Sequence, residues 1–351
     1  MSRVLVVATS RKTHGGITSV IRAHEIGKQW KKYNCHWVQT HRDGIMIRKI
    51  VYLVLGLLDY IVRLPFYDIV HVHVSLPNSV MRKMLYVKIA RLFKKRIILH
   101  LHCGSQIVEI WSDAYQYLFT RSDVSLLLSE SIKQQIENYI GTRFDLRVCY
   151  NPCPLVSTNF FCVQKNYILF SGSLYCSKGY QDLIMAFYFI SSTYLEWKLV
   201  FAGNGEIEKA KRLVRQLGIE DRVEFTGWVS GEDKAKVFQS ASIFCLPSYA
   251  EGFPMAVLDA WAYGLPVITT PVGGIPDIAK DGDNMLIFTP GDVDALAAKL
   301  ELLICDASLR AKISDASREL AATTFNIDRI NSQLEAIYNS LSDSSVSNDR
   351  I

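Results

Sequence analysis

The chain contains no C-x-x-C pair, no apolar run long enough to cross a membrane, no G-x-G-x-x-G and no G-x-x-x-x-G-K-[ST], and each absence removes a class of function. Its eight cysteines are scattered from Cys35 to Cys305. In a chain of 351 residues that pattern reads as reduced, buried thiols rather than a disulfide framework or a zinc site. The most apolar segment runs from Lys49 to Phe66, but its longest uncharged stretch, Ile50 to Leu58, falls far short of the roughly 20 residues a span needs. Asp59 and Arg63 interrupt it, so it reads as a strongly apolar helix, mostly core, with one face available to a bilayer surface. Residues 1–9 form a strand and a polar loop without the apolar centre of a signal peptide, and a cytoplasmic location is expected. Without the glycine fingerprint, and with no acid at a suitable strand end near 30–40, a nicotinamide enzyme is disfavoured; without the lysine motif, so is a P-loop ATPase.

What is present is apolar and unevenly charged. Half of the residues are hydrophobic, which allows a large core, and the length favours two domains. Residues 1–150 hold 22 Lys+Arg against 10 Asp+Glu, whereas the remainder holds 17 against 24. A basic amino-terminal half and an acidic carboxy-terminal half imply different partners. Basic side chains gather at Lys28, Lys31, Lys32, Arg48 and Lys49, and again at Arg82, Lys83, Lys88, Arg91, Lys94, Lys95 and Arg96. No nucleic-acid-binding module or interleaved aromatic motif accompanies them, so the expected partner is an anionic membrane surface and not nucleic acid.

Short β-branched runs alternate with helix-length stretches from end to end, which predicts two doubly wound α/β domains with mostly parallel sheets. Strands are expected at Val4–Ala8, His36–Gln39, Ile69–Val74, Arg96–His102 and Val124–Leu128. A second series is expected at Tyr167–Ser171, Lys198–Ala202, Val223–Phe225, Ile243–Leu246, Pro266–Thr269 and Met285–Phe288. Helices are expected at Ser19–Lys31, Ser79–Leu92, Gln181–Ile190, Glu206–Leu217 and Lys234–Ser240. The break falls at Asn151-Pro-Cys-Pro154, which gives domains at 1–155 and 156–325. A final helix over 326–341 is expected to pack back toward the first domain, with a flexible tail at 342–351.

Candidate chemistry sits where strands end. Glu251-Gly-Phe-Pro254 precedes a short helix carrying Asp259, with Pro254 suited to its first position and Gly264 to the residue after its last. The helix start would present free N–H groups and a positive dipole end beside the Glu251 carboxylate, a site for phosphate bound to a hydroxyl-rich group. Gly15-Gly16 follows the first strand and lets backbone approach a ligand before the first helix. Gly172-Ser-Leu-Tyr-Cys-Ser-Lys178-Gly179 holds a lysine on a glycine-bounded loop, where it can place a point charge on a diphosphate. Gly203-Asn-Gly205 repeats the tight turn after the next strand. His71 and His73 share one strand face, as do His100 and His102. Zinc lacks a clear further ligand at typical spacing, so most of these read as core histidines, with His102 the exception at a strand end.

Taken in order, these motifs and Thr270-Pro-Val-Gly-Gly-Ile-Pro-Asp277 resemble the retaining glycosyltransferases of family GT4, from about residue 3 to about residue 335. The resemblance implies a GT-B fold, two Rossmann-like domains facing across a cleft, with a nucleotide-sugar donor on the second, a glycan acceptor on the first, and no metal or other cofactor. Glu251 would hold sugar hydroxyls, Asp259 the ribose, and Lys178 the diphosphate. Gly15, Gly16, Ser173, Phe253 and the amides of Met255 and Ala256 would complete the donor site, Gly203 and Val229 would border the base, and His102 would stand beside the reacting sugar. Asp259 replaces the family's usual glutamate, and Ser173 stands where an arginine is common. Pro254 has no N–H where a neighbouring amide often touches the sugar. The expected acceptor is polyprenyl-diphosphate-linked, in bacterial surface polysaccharide assembly on the inner face of the membrane. A non-catalytic nucleotide-sugar or glycan-binding subunit and a GT-B nucleotide-sugar epimerase are the alternatives.

Overall fold

The computed structural model describes residues 2–13, 15–75, 77–104, 107, 109–156 and 165–343. The stretch 157–164 at the start of the expected second domain, and 344–351 of the expected tail, lie outside the described residues. The chain divides into two compact units, one of residues 1–152 with 327–351 and one of residues 153–326.

The first unit is a six-stranded, all-parallel sheet in the order β2-β1-β3-β4-β5-β6. Its strands are β1 (Val4–Ala8), β2 (His36–Gln39), β3 (Ile69–Val74), β4 (Arg96–Leu101), β5 (Val124–Leu127) and β6 (Leu146–Val148). The helices between them are α1 (Gly16–Glu25), α2 (Lys28–Lys32), α3 (Met46–Arg63), α4 (Pro77–Leu92), α5 (Asp113–Thr120) and α6 (Glu130–Ile140). Alternation along β1 sends Leu5 and Val7 into one apolar cluster and Val4, Val6 and Ala8 into the other, so both faces are covered.

The second unit is also a six-stranded sheet, in the different order β12-β11-β10-β7-β8-β9, with its pairings parallel. It comprises β7 (Tyr167–Ser171), α7 (Tyr180–Ser191), β8 (Lys198–Ala202), α8 (Ile207–Gln216), β9 (Val223–Gly227), α9 (Gly231–Ser240) and β10 (Ile243–Leu246). It continues through α10 (Met255–Ala262), β11 (Val267–Thr269), β12 (Leu286–Ile287), α11 (Val293–Cys305) and α12 (Ala307–Ala322). Asp292 and Asp306 start α11 and α12 by accepting from the amides of Ala295 and Leu309, the side-chain cap that aspartate supplies.

The chain then returns to the first unit as α13 (Ile327–Asp343). Ile330, Leu334, Ile337 and Tyr338 recur at helical spacing and fill the cluster that holds Ile21, Tyr33 and Trp37. Asn331 accepts a hydrogen bond from Gln29 Nε2 at 2.7 Å and pairs with His24 Nδ1 at 2.8 Å.

Several sequence expectations need correction. The helix expected over Ser19–Lys31 is two, α1 and α2, separated at Ile26-Gly27. The strand expected to reach His102 stops at Leu101, and edge strand β6 went unforeseen because Leu-Arg-Val offers only two apolar residues. Most consequentially, α3 is not mostly core. Only Gly56 and Tyr60 are buried on it, while Ile47, Ile50, Val54, Leu58 and Val62 are exposed. Lys83 also leaves the basic surface group: it is buried at 1 % exposure and donates to Thr40 Oγ1.

Candidate active site

In the second unit β7 and β10 are neighbours, yet the chain leaves them in opposite directions, toward β8 and toward β11. That reversal opens a crevice at their carboxyl ends, where α/β sheets take ligands. The segments that follow these two strands carry Lys178 and Glu251.

After β7 the chain makes a helical turn over Cys176–Lys178 and reverses at Gly179, whose φ is 67°. A Cβ there would lie 2.0 Å from the carbonyl oxygen of Pro247, so only glycine lets this loop rest on the end of β10. The Tyr249 amide donates to the Ser177 carbonyl at 2.9 Å and fastens the two loops together. Lys178 Nζ thereby stands 2.5 Å from Glu251 Oε1, which also accepts from Ser248 Oγ at 2.7 Å. The Glu251 side chain is only 10 % exposed and its lysine partner 29 %, so this contact is largely sheltered from water. Behind it, Gly273 has φ 61° and lies so close that a Cβ would meet Gly252 O at 2.2 Å. The Gly274 amide donates to that same oxygen at 2.7 Å, so the loop after β11 seats Glu251 from below.

Helix α10 begins just past Glu251. Pro254 is its cap, one position earlier than expected, and Met255 is its first residue. The Val257 and Leu258 amides return to the Pro254 carbonyl, leaving the amides of Met255 and Ala256 without an intrahelical acceptor. Gly264 follows the helix with φ 68°, as expected of the residue past its end. The Phe253 ring is buried and packed 5.0 Å from Phe325, so any ligand contact of Phe253 is through its backbone.

Asp259 lies on α10 and is 9 % exposed. Burial raises its carboxyl above the usual range, and Lys234 of α9 opposes that shift with an ion pair at 2.6 Å. This partner is a residue that the sequence did not single out. Lys234 is one of two lysines on a solvated helix, and nothing local marks the one that reaches Asp259.

The loop holding Ser173 meets the Gly203-Asn204-Gly205 turn through two backbone bonds, Leu174 N–H to Asn204 O at 2.7 Å and Glu206 N–H to Leu174 O at 2.8 Å. Asn204 Oδ1 accepts from the Trp228 amide at 3.2 Å, which ties in the segment carrying half-buried Val229. The loops that leave the carboxyl ends of neighbouring strands carry Ser173, Lys178, Gly203, Val229 and Glu251, and Met255 and Ala256 open the helix that follows one of them.

In the first unit, Gly15 caps α1 after β1, Gly16 is the first helical residue, and both are exposed. His102 follows β4 at the same edge of the sheet, with β3 between them. Its Nε2 lies 2.8 Å from His73 Nδ1, and its ring stacks on His100 at 4.3 Å. Desolvation, reinforced by His24, lowers its pKa to about 3, so the imidazole is neutral at pH 7. His71 bonds Tyr338 OH at 2.8 Å and His100 at 3.3 Å, and burial lowers the pKa values of His71, His73 and His100 as well. Ring nitrogens of these last three lie within 4.8 Å of one another, close enough to share a metal ion, and His71 stacks on His73 at 4.4 Å and on His100 at 5.4 Å.

Comparisons with known proteins bear on the fold and on family likeness. Residues 159–320 match the family model of glycosyl transferases group 1. The chain is 28 % identical over 288 residues to N-acetyl-alpha-D-glucosaminyl L-malate synthase of Bacillus anthracis, covering 77 % of this chain and 74 % of that one. It is 31 % identical over 192 residues to lipopolysaccharide 1,6-galactosyltransferase of Salmonella typhimurium, covering 53 % of each. The matches span about half to three quarters of the length of these relatives. The HepE protein of Anabaena, solved with UDP-glucose, superposes with a TM-score of 0.78 at 17 % identity, covering 97 % of this chain and all of that one. Two parallel six-stranded sheets, each flanked by helices, constitute the GT-B fold. The likeness to the glycosyl transferases group 1 family lies within the second unit, over residues 159–320.

Proposed function

We propose that the protein is a retaining glycosyltransferase that moves a sugar from a nucleotide-sugar, a UDP-sugar or GDP-mannose, to a hydroxyl of a glycan acceptor in bacterial surface polysaccharide synthesis. The observation that carries this reading is the sheltered Lys178–Glu251 pair beside the two unclaimed amides of α10. Lys178 can turn from Glu251 to a diphosphate, which frees the carboxylate to accept from sugar hydroxyls. The Met255 and Ala256 amides and the helix dipole then share the charge that develops on the leaving phosphate. This set supplies positive charge without a divalent ion, and no metal is part of the proposal. Neutral His102 can donate or accept a hydrogen bond without adding charge. No nucleophile is assigned to the protein: the departing phosphate would take the acceptor proton, and the protein's part is positioning and electrostatics.

A lipid-linked acceptor suits the basic first unit, and the similarity to a lipopolysaccharide galactosyltransferase supports a polysaccharide pathway. The malate-synthase relative makes a small soluble acceptor the natural comparison in any screen. One observation favours a second reading, a subunit that binds nucleotide without turnover: the Asp259 carboxylate assigned to ribose is already paired with Lys234. Incubation with UDP- and GDP-sugars in EDTA, with NMR of the product's anomeric proton, tests both. Transfer with retention, lost in Glu251→Gln, is the expected result. Bound nucleotide with no released diphosphate from any donor and acceptor pair would leave the binding subunit.

A further inference from the structure

Helix α3 inverts the usual placement of apolar residues. Its 18 residues turn Gly56 and Tyr60 inward, and the ring of Tyr60 packs edge-on to Tyr86 of α4 at 4.9 Å. On the opposite side, Ile47, Val51, Val54, Leu58 and Ile61 follow one another by four, three, four and three residues. At about 100° per residue that spacing makes one continuous stripe, roughly 180° from Gly56. These five side chains are 42 to 70 % exposed. Phe66, 66 % exposed, extends the stripe past the helix. Lys95 Nζ bonds the Pro65 carbonyl at 3.4 Å and brings the exposed Leu92 and Phe93 to that end. A soluble monomer rarely leaves so long a contiguous apolar face open.

Charge decides what covers it. Exposed Arg48 and Lys49 stand at one end of the stripe, and Arg63, Lys94 and Lys95 at the other. The acid on the helix, Asp59, is already held by Arg63 at 2.6 Å and His36 at 2.8 Å. Cations at both ends of an apolar stripe match a surface that is apolar within and anionic at its border. An antiparallel second copy would set Arg48 and Lys49 against the partner's cations. No helix of the described residues is long and apolar enough to cross a membrane, and the inward side of α3 is held by the protein.

We propose that α3 lies in the plane of an anionic lipid bilayer, its outward stripe buried among acyl chains and its terminal lysines and arginines among the headgroups. This docking surface holds whichever donor and acceptor the transfer reaction takes.

Flotation of the full chain with vesicles of phosphatidylcholine, alone and mixed with phosphatidylglycerol, tests it. The protein is expected to float with the mixed vesicles. Val54→Glu/Leu58→Glu, which changes only outward residues, is expected to remain unbound with unchanged circular dichroism and melting temperature. Should that variant melt early, Val54→Ser/Leu58→Ser replaces it, with partitioning expected to fall about tenfold or more. Arg48→Gln/Lys49→Gln should lower binding about fivefold for each cation removed, and salt should do the same. Failure of the wild type to float with mixed vesicles overturns the proposal, as does unchanged binding of the folded outward-face variants. A non-floating wild-type dimer that Val54→Glu/Leu58→Glu converts to monomer would assign the stripe to a second copy.

Discussion

Replacing Lys178 with alanine removes the cation that the proposed mechanism passes from Glu251 to a diphosphate. In the unliganded protein it loses the 2.5 Å contact with Glu251, leaving that carboxylate with the Ser248 hydroxyl. A charge-assisted bond of this kind contributes about 1.5–3 kcal/mol, so a nucleoside diphosphate should bind the variant roughly 10- to 150-fold more weakly. At about 100 times the wild-type dissociation constant, ligand stabilises the wild type by about 2.7 kcal/mol, and the variant would keep about 0.3–1.4. For a unit of this size, 1 kcal/mol corresponds to about 2–4 °C, so the wild-type melting shift of about 5–11 °C should fall to half or less. The assay is thermal unfolding in EDTA with UDP, GDP, ADP and CMP, wild type beside Lys178→Ala. Glu251→Gln sharpens the test: it frees the lysine, so diphosphate affinity should hold or rise while transfer from the full donor falls. A nucleotide that shifts Lys178→Ala as far as the wild type would refute the phosphate role of this lysine.

Three further outcomes follow from the same geometry. Lys234→Ala strands the 9 % exposed Asp259 carboxylate and should lower stability by about 2 kcal/mol or more in urea unfolding, short of the 3–5 expected for a fully buried pair; an unchanged midpoint would mean that the pair is immaterial. Gly273→Ala places a Cβ 2.2 Å from Gly252 O at φ 61°, so it should reduce donor binding more than any change in overall secondary structure, as titration calorimetry beside circular dichroism would reveal. Acid should loosen the first unit selectively. Burial lowers His24 to about 4 and His102 to about 3, so the unfolded chain binds more protons and stability falls as pH drops from about 6.5 toward those values. His24 alone would contribute a loss of about 2 kcal/mol at pH 5. All eight histidines lie between residues 14 and 102 and none in 153–326, so hydrogen exchange at pH 5 should rise in the first unit while the second stays protected; equal acceleration in both would contradict this.

The strands were legible because β-branched runs such as Ile69–Val74 and Ile243–Leu246 are bounded by turns and buried on both faces. The loops with Lys178 and Glu251 were legible because glycines stand at their strand ends, and at Gly179 and Gly273 backbones do pass closely. Their ion pair was not, since 73 residues separate them and no local pattern encodes which lysine meets which acid. Lys234 escaped notice for the same reason. The apolarity of α3 was plain, but a hydrophobic pattern says only that a face needs cover and is silent about whether protein provides it. Lys83 shows the reverse: within a run of basic residues, its burial against Thr40 depends on the packing of α4, not on composition.

Helix α13 carries a consequence for how the molecule is made. The amino-terminal unit takes Ile330, Leu334, Ile337 and Tyr338 into its core, whereas the unit of residues 153–326 lies in one uninterrupted stretch. During synthesis the later unit can close as soon as it leaves the ribosome. The earlier one waits, with the cluster around Ile21 and Trp37 open, until α13 has emerged. The domain begun first is therefore finished last, and a ribosome stalled anywhere before α13 leaves it incomplete.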